Sequence, residues 1–227
     1  PPEDPPHDSD SDDCDEKPTP PDAPAAASNP NNSTDSHPSQ DPALLTGGKF
    51  FLPFVDLEIQ GRGRMTRTNL LFERNYSSQT GYNQGVVGVG WTTNLDISLT
   101  DNGGTTVSVR DHDGSVYEFT QQSPGLYIDG RMKVEKQPDN SYLLTKTFGT
   151  KYQFDSAGRI QFIQDRNGNK ITYNYTGTTI TSLTDDSGRS LNFNYGPNTK
   201  LASLADPLGR TWNFAYDTNN NLISSTD

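Results

Sequence analysis

From Lys146 onward, apolar residues fall at every second position in short runs, and each run follows a polar turn. Ile171, Tyr173 and Tyr175 form one such run; Leu191, Phe193 and Tyr195 the next; Trp212, Phe214 and Tyr216 the third. Period two places each set on one face of a β-strand. Ahead of each run stands a turn signal: Asp165 to Gly168, Asp185 to Gly188 and Asp206 to Gly209. Asp opens a turn because its carboxylate accepts from nearby backbone amides. Gly supplies the positive φ that a tight reversal needs. A second apolar pair precedes each turn: Ile160 with Ile163, Ile180 with Leu183, Leu201 with Leu204. Each unit is therefore predicted to be a hairpin, its second turn near Gly177, Gly196 or Asn219 to Asn221. The glycines lie 20 and then 21 residues apart, and Asp227 stands where a fourth turn would open. A fixed period of this length marks a repeat architecture, in which stacked copies bury one continuous face. Gly149 to Phe154 is a weaker copy, and Asp111 to Phe119 fits the same frame outside the array.

The pattern upstream is less regular. Leu52, Phe54, Leu57 and Ile59 predict a strand pair broken at Pro53 and Asp56, and Met65 to Tyr76 a further strand centred on Leu71 and Phe72. Gly81, Gly85, Gly88 and Gly90 crowd a loop ending at Trp91. Leu95 to Phe119 reads as alternating strands with a turn at Asn102-Gly103, and Tyr127 to Thr145 as one hairpin around Pro138 to Asn140. No segment sustains a helical period. The expected fold is all-β, an antiparallel hairpin array. It divides into an N-terminal linker (1–40), a capping module (41–100), a hairpin region (101–145) and repeats (146–227).

Composition changes the picture mainly at the N-terminus. Residues 1–40 are Pro-, Asp-, Ser-, Asn- and Ala-rich, with almost no apolar side chain larger than Ala. Such a segment cannot bury enough surface to offset its ordering entropy and is predicted to be a disordered acidic linker. Of the net charge of −11, −10 lies in residues 1–41, leaving the remainder at −1. A nearly neutral fold has no electrostatic footprint for nucleic acid. The single cysteine, Cys14, excludes an internal disulfide and a CxxC metal site. No apolar run approaches the ~20 residues of a membrane span.

No catalytic constellation emerges, and neither a cofactor nor a metal is expected. His7 and His37 lie in the linker, and His112, a turn residue, is expected at the surface without the partner that acid–base work needs. Asp165, Asp185 or Asp186, and Asp206 could align to bind cations, but hydrogen bonding within their own turns is the favoured reading. Gly61-Arg-Gly63 and Gly88-Val-Gly90 lack the Lys-Ser/Thr and following helix of a phosphate loop.

Phe154-Asp155-Ser-Ala-Gly158-Arg159-Ile160 and Tyr216-Asp217-Thr-Asn-Asn-Asn221-Leu222 resemble the Tyr-Asp-x-x-Gly-Arg-Leu signature of YD repeats in the Rhs and wall-associated protein families. The first has Phe for Tyr, the last has Asn-Asn for Gly-Arg, and the Tyr195-Gly196 copy keeps the Tyr but not the Asp. Asp41-Pro42, Thr46-Gly47, Arg74-Asn75-Tyr76-Ser77 and Gly88-Val89-Gly90-Trp91 resemble the module that precedes Rhs repeats, whose physical task would be to cap the first repeat. The resemblance implies a structural, non-enzymatic segment of a larger secreted or cell-surface protein of bacterial type, its sheet coiling into a hollow shell that often encloses a C-terminal toxin. The implied partners are further repeats and a C-terminal domain of the same polypeptide, with no membrane insertion. The alternative expectation is a module binding carbohydrate or another cell-surface partner through exposed sheet aromatics such as Tyr173, Phe193 and Phe214.

Overall fold

The computed structural model describes residues 43–44, 49–61, 68–78, 85–196 and 198–227. The chain divides into two units, Pro1–Asp35 and Ser36–Asp227, and every described residue lies in the second. The expected linker over 1–40 falls outside the described residues, as do Gly81, Met65 and the Asp41-Pro42 and Thr46-Gly47 motifs.

Among the described residues the fold is all-β, without a helix, and every strand pair is antiparallel. Four strands form one sheet in sequence order: β1 (Ala43–Leu44), β2 (Lys49–Ile59), β3 (Leu70–Ser77) and β4 (Trp91–Thr93). Fourteen more form an uninterrupted meander. It opens with β5 (Ser98–Asp101), β6 (Thr106–Arg110), β7 (Val116–Ser123), β8 (Leu126–Asp129), β9 (Met132–Lys136) and β10 (Tyr142–Thr145). It continues through β11 (Lys151–Phe154), β12 (Ile160–Gln164), β13 (Lys170–Thr176), β14 (Thr179–Asp185), β15 (Ser190–Tyr195), β16 (Leu201–Ala205), β17 (Thr211–Tyr216) and β18 (Leu222–Thr226). The strands from Ser98 to Thr145 thus belong to the same sheet as the repeats.

Three expectations need correction. The strand pair broken at Pro53 and Asp56 is a single strand, β2, paired with β3 along its length; Asp56 is accommodated by a bulge between Val55 and Leu57. Pro53 lies where β3 alone flanks β2, an edge position that tolerates a missing N–H. Leu95 and Ile97 are buried but precede β5 rather than alternating along it. Tyr127 to Thr145 holds three strands, because Asp129-Gly130 makes an additional tight turn between β8 and β9.

The long sheet curls. A bulge falls at Phe154, Tyr175, Tyr195 and Tyr216, once per hairpin and always at the same end of the sheet. Bulges add local twist and bend the strand that carries them. The curl brings the first strand back against the β11–β12 turn: the Leu99 amide donates to the Gly158 carbonyl at 2.8 Å, and Ser98 bridges Arg159. The concave face is filled by the four-stranded sheet, and both contribute to one hydrophobic core. Phe72 on β3 is fully buried, with ring centroids 5.9 Å from Phe193 and 5.8 Å from Phe214.

Gly158 and Gly188 separate two reasons for a glycine. Both have positive φ, 78° and 79°. A Cβ on Gly188 would meet nothing within 4 Å, whereas one on Gly158 would sit 1.9 Å from the Leu99 carbonyl oxygen. Gly188→Ala should therefore cost only the left-handed strain, about 1–2 kcal/mol. Gly158→Ala should cost clearly more, because the sheet closure itself must open. Urea titrations of the two variants check this, and equal losses would show that the Leu99–Gly158 junction is pliable.

Candidate functional site

The repeat motif builds the same five-residue turn each time. In the turn opened by Asp206, its carbonyl accepts from the Gly209 amide at 3.0 Å, and its own amide donates to the Arg210 carbonyl at 2.9 Å. Its Oδ1 accepts from the Leu208 and Arg210 amides, both at 2.9 Å, and its Oδ2 from Arg210 Nε at 2.8 Å. Asp185 repeats the arrangement with Ser187 and Arg189, and Asp165 with Asn167 and Asn169. Gly168, Gly188 and Gly209 hold φ of 93°, 79° and 85°. The turn also forms where the glycine is missing. Asn220 adopts φ 63°, and Asn221 Nδ2 reaches Asp217 Oδ2 at 2.8 Å in the place of the usual arginine. Asn tolerates the left-handed region better than other residues with a Cβ.

Because the meander alternates direction, Asp165, Asp185 and Asp206 align at one end of the sheet, together with Asp111 from the β6–β7 turn. All four are buried. Each turn carboxylate of the repeats already accepts three hydrogen bonds from its own turn, which occupies the oxygens a cation would need. Among the described residues, no cluster of three His, Cys, Asp or Glu is placed to hold a metal.

The tyrosine of the signature has a separate task. The bulges at Tyr175, Tyr195 and Tyr216 lie in the ladder with the following strand, and there the tyrosine hydroxyl reaches back to the preceding strand, beyond the last paired residues of that ladder. Tyr175 donates to the Ile160 carbonyl at 2.6 Å, Tyr195 to Ile180 at 2.8 Å and Tyr216 to Leu201 at 2.8 Å. Burial pushes all three phenols up, so they remain protonated donors. Each bond contributes about 1 kcal/mol. The inward row of Tyr173, Phe193 and Phe214 is buried against the four-stranded sheet, with Trp212 half-buried beside it. These aromatics form no exposed stacking platform.

The Gly-x-Gly-Trp motif meets the far end of the array. Gly88 and Gly90 have φ of 97° and 78°. A Cβ on Gly88 would lie 2.3 Å from the Asn220 carbonyl oxygen, and one on Gly90 2.8 Å from the Tyr76 ring. The Val89 amide donates to Asn220 O at 3.3 Å, the Leu201 amide to Val86 O at 2.8 Å, and Lys200 Nζ to Gly85 O at 2.7 Å. Trp91 packs edge-on to Tyr76 at 5.3 Å.

Two polar nodes escaped the sequence reading. Arg74, 6% exposed, makes a bidentate pair with Asp56 at 2.6 and 2.8 Å and donates to Ser225 Oγ at 2.8 Å. The rings of Trp91, Phe54 and Phe214 surround its guanidinium at 5.0, 5.1 and 5.7 Å. The second node corrects the expectation for His112, whose side chain is only 18% exposed. Its Nδ1 lies 2.9 Å from Asp111 Oδ1 and its Nε2 3.8 Å from Glu73 Oε1. Asp111 also pairs with Lys146. Burial alone would raise the Asp111 carboxyl, but the His112 hydrogen bond and the Lys146 charge outweigh it and hold it well below the carboxylate range. A chain regularity could have flagged Ser225, which stands where earlier repeats carry Ile163, Leu183 and Leu204. The Arg74-Asn75-Tyr76-Ser77 motif marks Arg74, but nothing local could have identified its partners, which lie 18 and 151 residues away.

Residues 40–119 match the family described as Domain of unknown function (DUF6531). The match spans the four-stranded sheet and the first strands of the meander. No curated protein gives a significant match to the chain. Among the described residues no helix is long and apolar enough to cross a membrane.

The turn carboxylates predict the acid limit of the fold. For Asp206, burial alone would raise the carboxyl, but hydrogen bonds from the Arg210 side chain and from the Arg210 and Leu208 amides outweigh it; the net direction is down, as for Asp165 and Asp111. A folded-state pKa below the unfolded ~3.9 gives stability that is complete above about pH 4 and is lost as pH falls through the folded value. Asp206→Ala should cost about 1.5–3 kcal/mol at pH 7, with the gap to the parent narrowing below pH 4. Thermal unfolding of both proteins between pH 7 and pH 2 checks the sign; a gap that widens in acid would contradict it.

Proposed function

We propose that residues 36–227 are the nucleating end of an Rhs-type β-shell, a structural and non-enzymatic segment of a larger secreted or cell-surface protein. The four-stranded sheet acts as a plug that sets the curvature of the meander and seals its first turns. Further repeats would extend the shell around a C-terminal domain, a toxin in the family that the repeats resemble.

The observation that carries this reading is the burial of β3 inside the curl, with Phe72 seated between Phe193 and Phe214. A free-standing hairpin array exposes its apolar face, and capping elements exist to hide it. Here the module that precedes the repeats is swallowed by them, an arrangement suited to a wall rather than to an adaptor with a free binding face. The YD-type turns and tyrosine ties support the same reading, since they make each hairpin interchangeable with the next. The aromatics that a glycan platform would use face the plug.

Electron microscopy of the full-length polypeptide that contains this chain tests the proposal. A closed hollow particle with this segment at one pole is expected. An extended rod, or this segment as a separate bead on a linker, would sink it.

A further inference from the structure

Three hairpin turns at the bulged end of the sheet share one backbone. In each, the first amide donates to the fifth carbonyl, and the fourth amide donates to the first carbonyl. The turns run from Asp155 to Arg159, from Gly196 to Lys200 and from Asp217 to Asn221. Their fourth residues, Gly158, Thr199 and Asn220, hold positive φ of 78°, 58° and 63°. The first side chains differ. Asp155 Oδ1 accepts from the Ala157 and Arg159 amides at 3.0 and 2.9 Å, and Asp217 Oδ1 from the Asn219 and Asn221 amides, both at 2.8 Å. Gly196 brings no carboxylate. Among the described residues, no side chain stands in for it as acceptor for the Asn198 and Lys200 amides.

Two further differences fall beside the lost carboxylate. Around Asp155, Gln161 Nε2 and Arg159 Nε donate to Asp155 Oδ2 at 3.4 and 2.7 Å, and the Arg159 guanidinium lies 5.3 Å from the centre of the Tyr175 ring. The matching bulges set Ala202 in the place of Gln161, Lys200 in that of Arg159 and Tyr216 in that of Tyr175. Ala202 is too short to reach the turn, and Lys200 Nζ donates to the Gly85 carbonyl in the plug at 2.7 Å. A cleft of about 260 Å³ opens here, lined by Ala202, Phe214 and Tyr216 and by the turns that Gly196 and Asp217 begin. A Cβ on Gly196 would lie 3.9 Å from the Ala202 Cβ, an ordinary contact. The cleft thus occupies the space of the missing aspartate and glutamine side chains.

We propose that this cleft binds a small free monocarboxylate, whose carboxylate replaces the aspartate side chain that Gly196 lacks. One ligand oxygen accepts from the Asn198 and Lys200 amides, as Asp155 Oδ1 does from the equivalent amides of its own turn. The Lys200 ammonium has further donors beyond its bond to Gly85 and supplies the positive charge that Arg159 brings to the first turn. Hydrogen bonds to an ionised acceptor are roughly twice as strong as neutral ones, so even a small anion gains from them. The organic part of the ligand covers Ala202, Phe214 and Tyr216. Asp217 bounds the opposite side, its carboxylate already accepting from Asn219 and Asn221. Its negative charge disfavours phosphate and other multivalent anions, which leaves a singly charged acid of a few carbons as the class that fits.

The test titrates the intact chain with sodium acetate and, at equal ionic strength, with sodium chloride, while the backbone amides are followed by nuclear magnetic resonance. The Asn198 and Lys200 amides should shift saturably with acetate and stay in place with chloride. Gly196 lies outside the left-handed region, so Gly196→Asp restores a tethered carboxylate without strain. That variant should melt a few degrees above the parent and bind acetate about tenfold more weakly or worse, its site being filled from within. Gly196→Ala adds the Cβ without the acceptor; it should keep the acetate response and melt below Gly196→Asp. A folded parent whose two amides show no saturable shift with acetate would overturn the site. So would an equal shift with chloride, or an acetate response that Gly196→Asp leaves intact.

Discussion

The inner face of a curled sheet has to be filled, and this chain fills it with its own preceding strands. A flat sheet can leave one face in water, but a sheet that bends back until Leu99 meets Gly158 encloses its aromatic row. Phe72 occupies that interior, and removal of a buried phenylalanine from such a site costs about 3–5 kcal/mol. The plug and the repeats are thus two halves of one core. Neither side has a finished apolar face without the other.

The polar groups inside the interface then determine how the halves align. Arg74 cannot be buried without partners, because an unpaired internal charge costs several kcal/mol. Asp56 neutralises it from within the plug, three rings surround it, and Ser225 completes it from β18. Ser225 interrupts a series of aliphatic residues at equivalent positions. A slip of the array by one hairpin would set Leu204 against Arg74 and leave a donor unsatisfied. The node at Asp111, His112, Lys146 and Glu73 ties β3 to the β6–β7 turn through the residue next to Arg74. Removing one partner of a buried pair of this kind costs about 3–5 kcal/mol, because it leaves an uncompensated charge.

The elements legible in the sequence were those made by local chemistry. Asp206 and Gly209 act within five residues, so their turn could be read directly, and so could the alternation of Trp212, Phe214 and Tyr216. The all-β fold followed from these. Pro53 misled, because its disruptive effect depends on whether its missing N–H faces a neighbour, which only the pairing of β2 decides. Asp129-Gly130 was a turn signal of ordinary strength that the uneven spacing around it obscured. The curl, the seat of Phe72 and the partners of Arg74 were not legible, since Leu99 meets Gly158, Phe72 meets Phe193 and Arg74 meets Ser225 across separations at which periodicity carries no information. The signature tyrosines sit between these cases. Their recurrence is obvious in the sequence, while their hydroxyl bonds to Ile160, Ile180 and Leu201 depend on a bulge that no single strand announces.

Two tryptophans allow the unity of the core to be measured directly. Trp91 lies in the plug and Trp212 in the repeat sheet. Variants carrying only one of them, Trp212→Phe or Trp91→Phe, should unfold in urea with single transitions that coincide with far-ultraviolet circular dichroism of the same protein. Adding Phe72→Ala should lower the stability reported by either tryptophan by the same amount. A repeat-sheet transition at Trp212 that stays in place while the Trp91 transition moves would show that the plug is an independent attachment rather than half of the core.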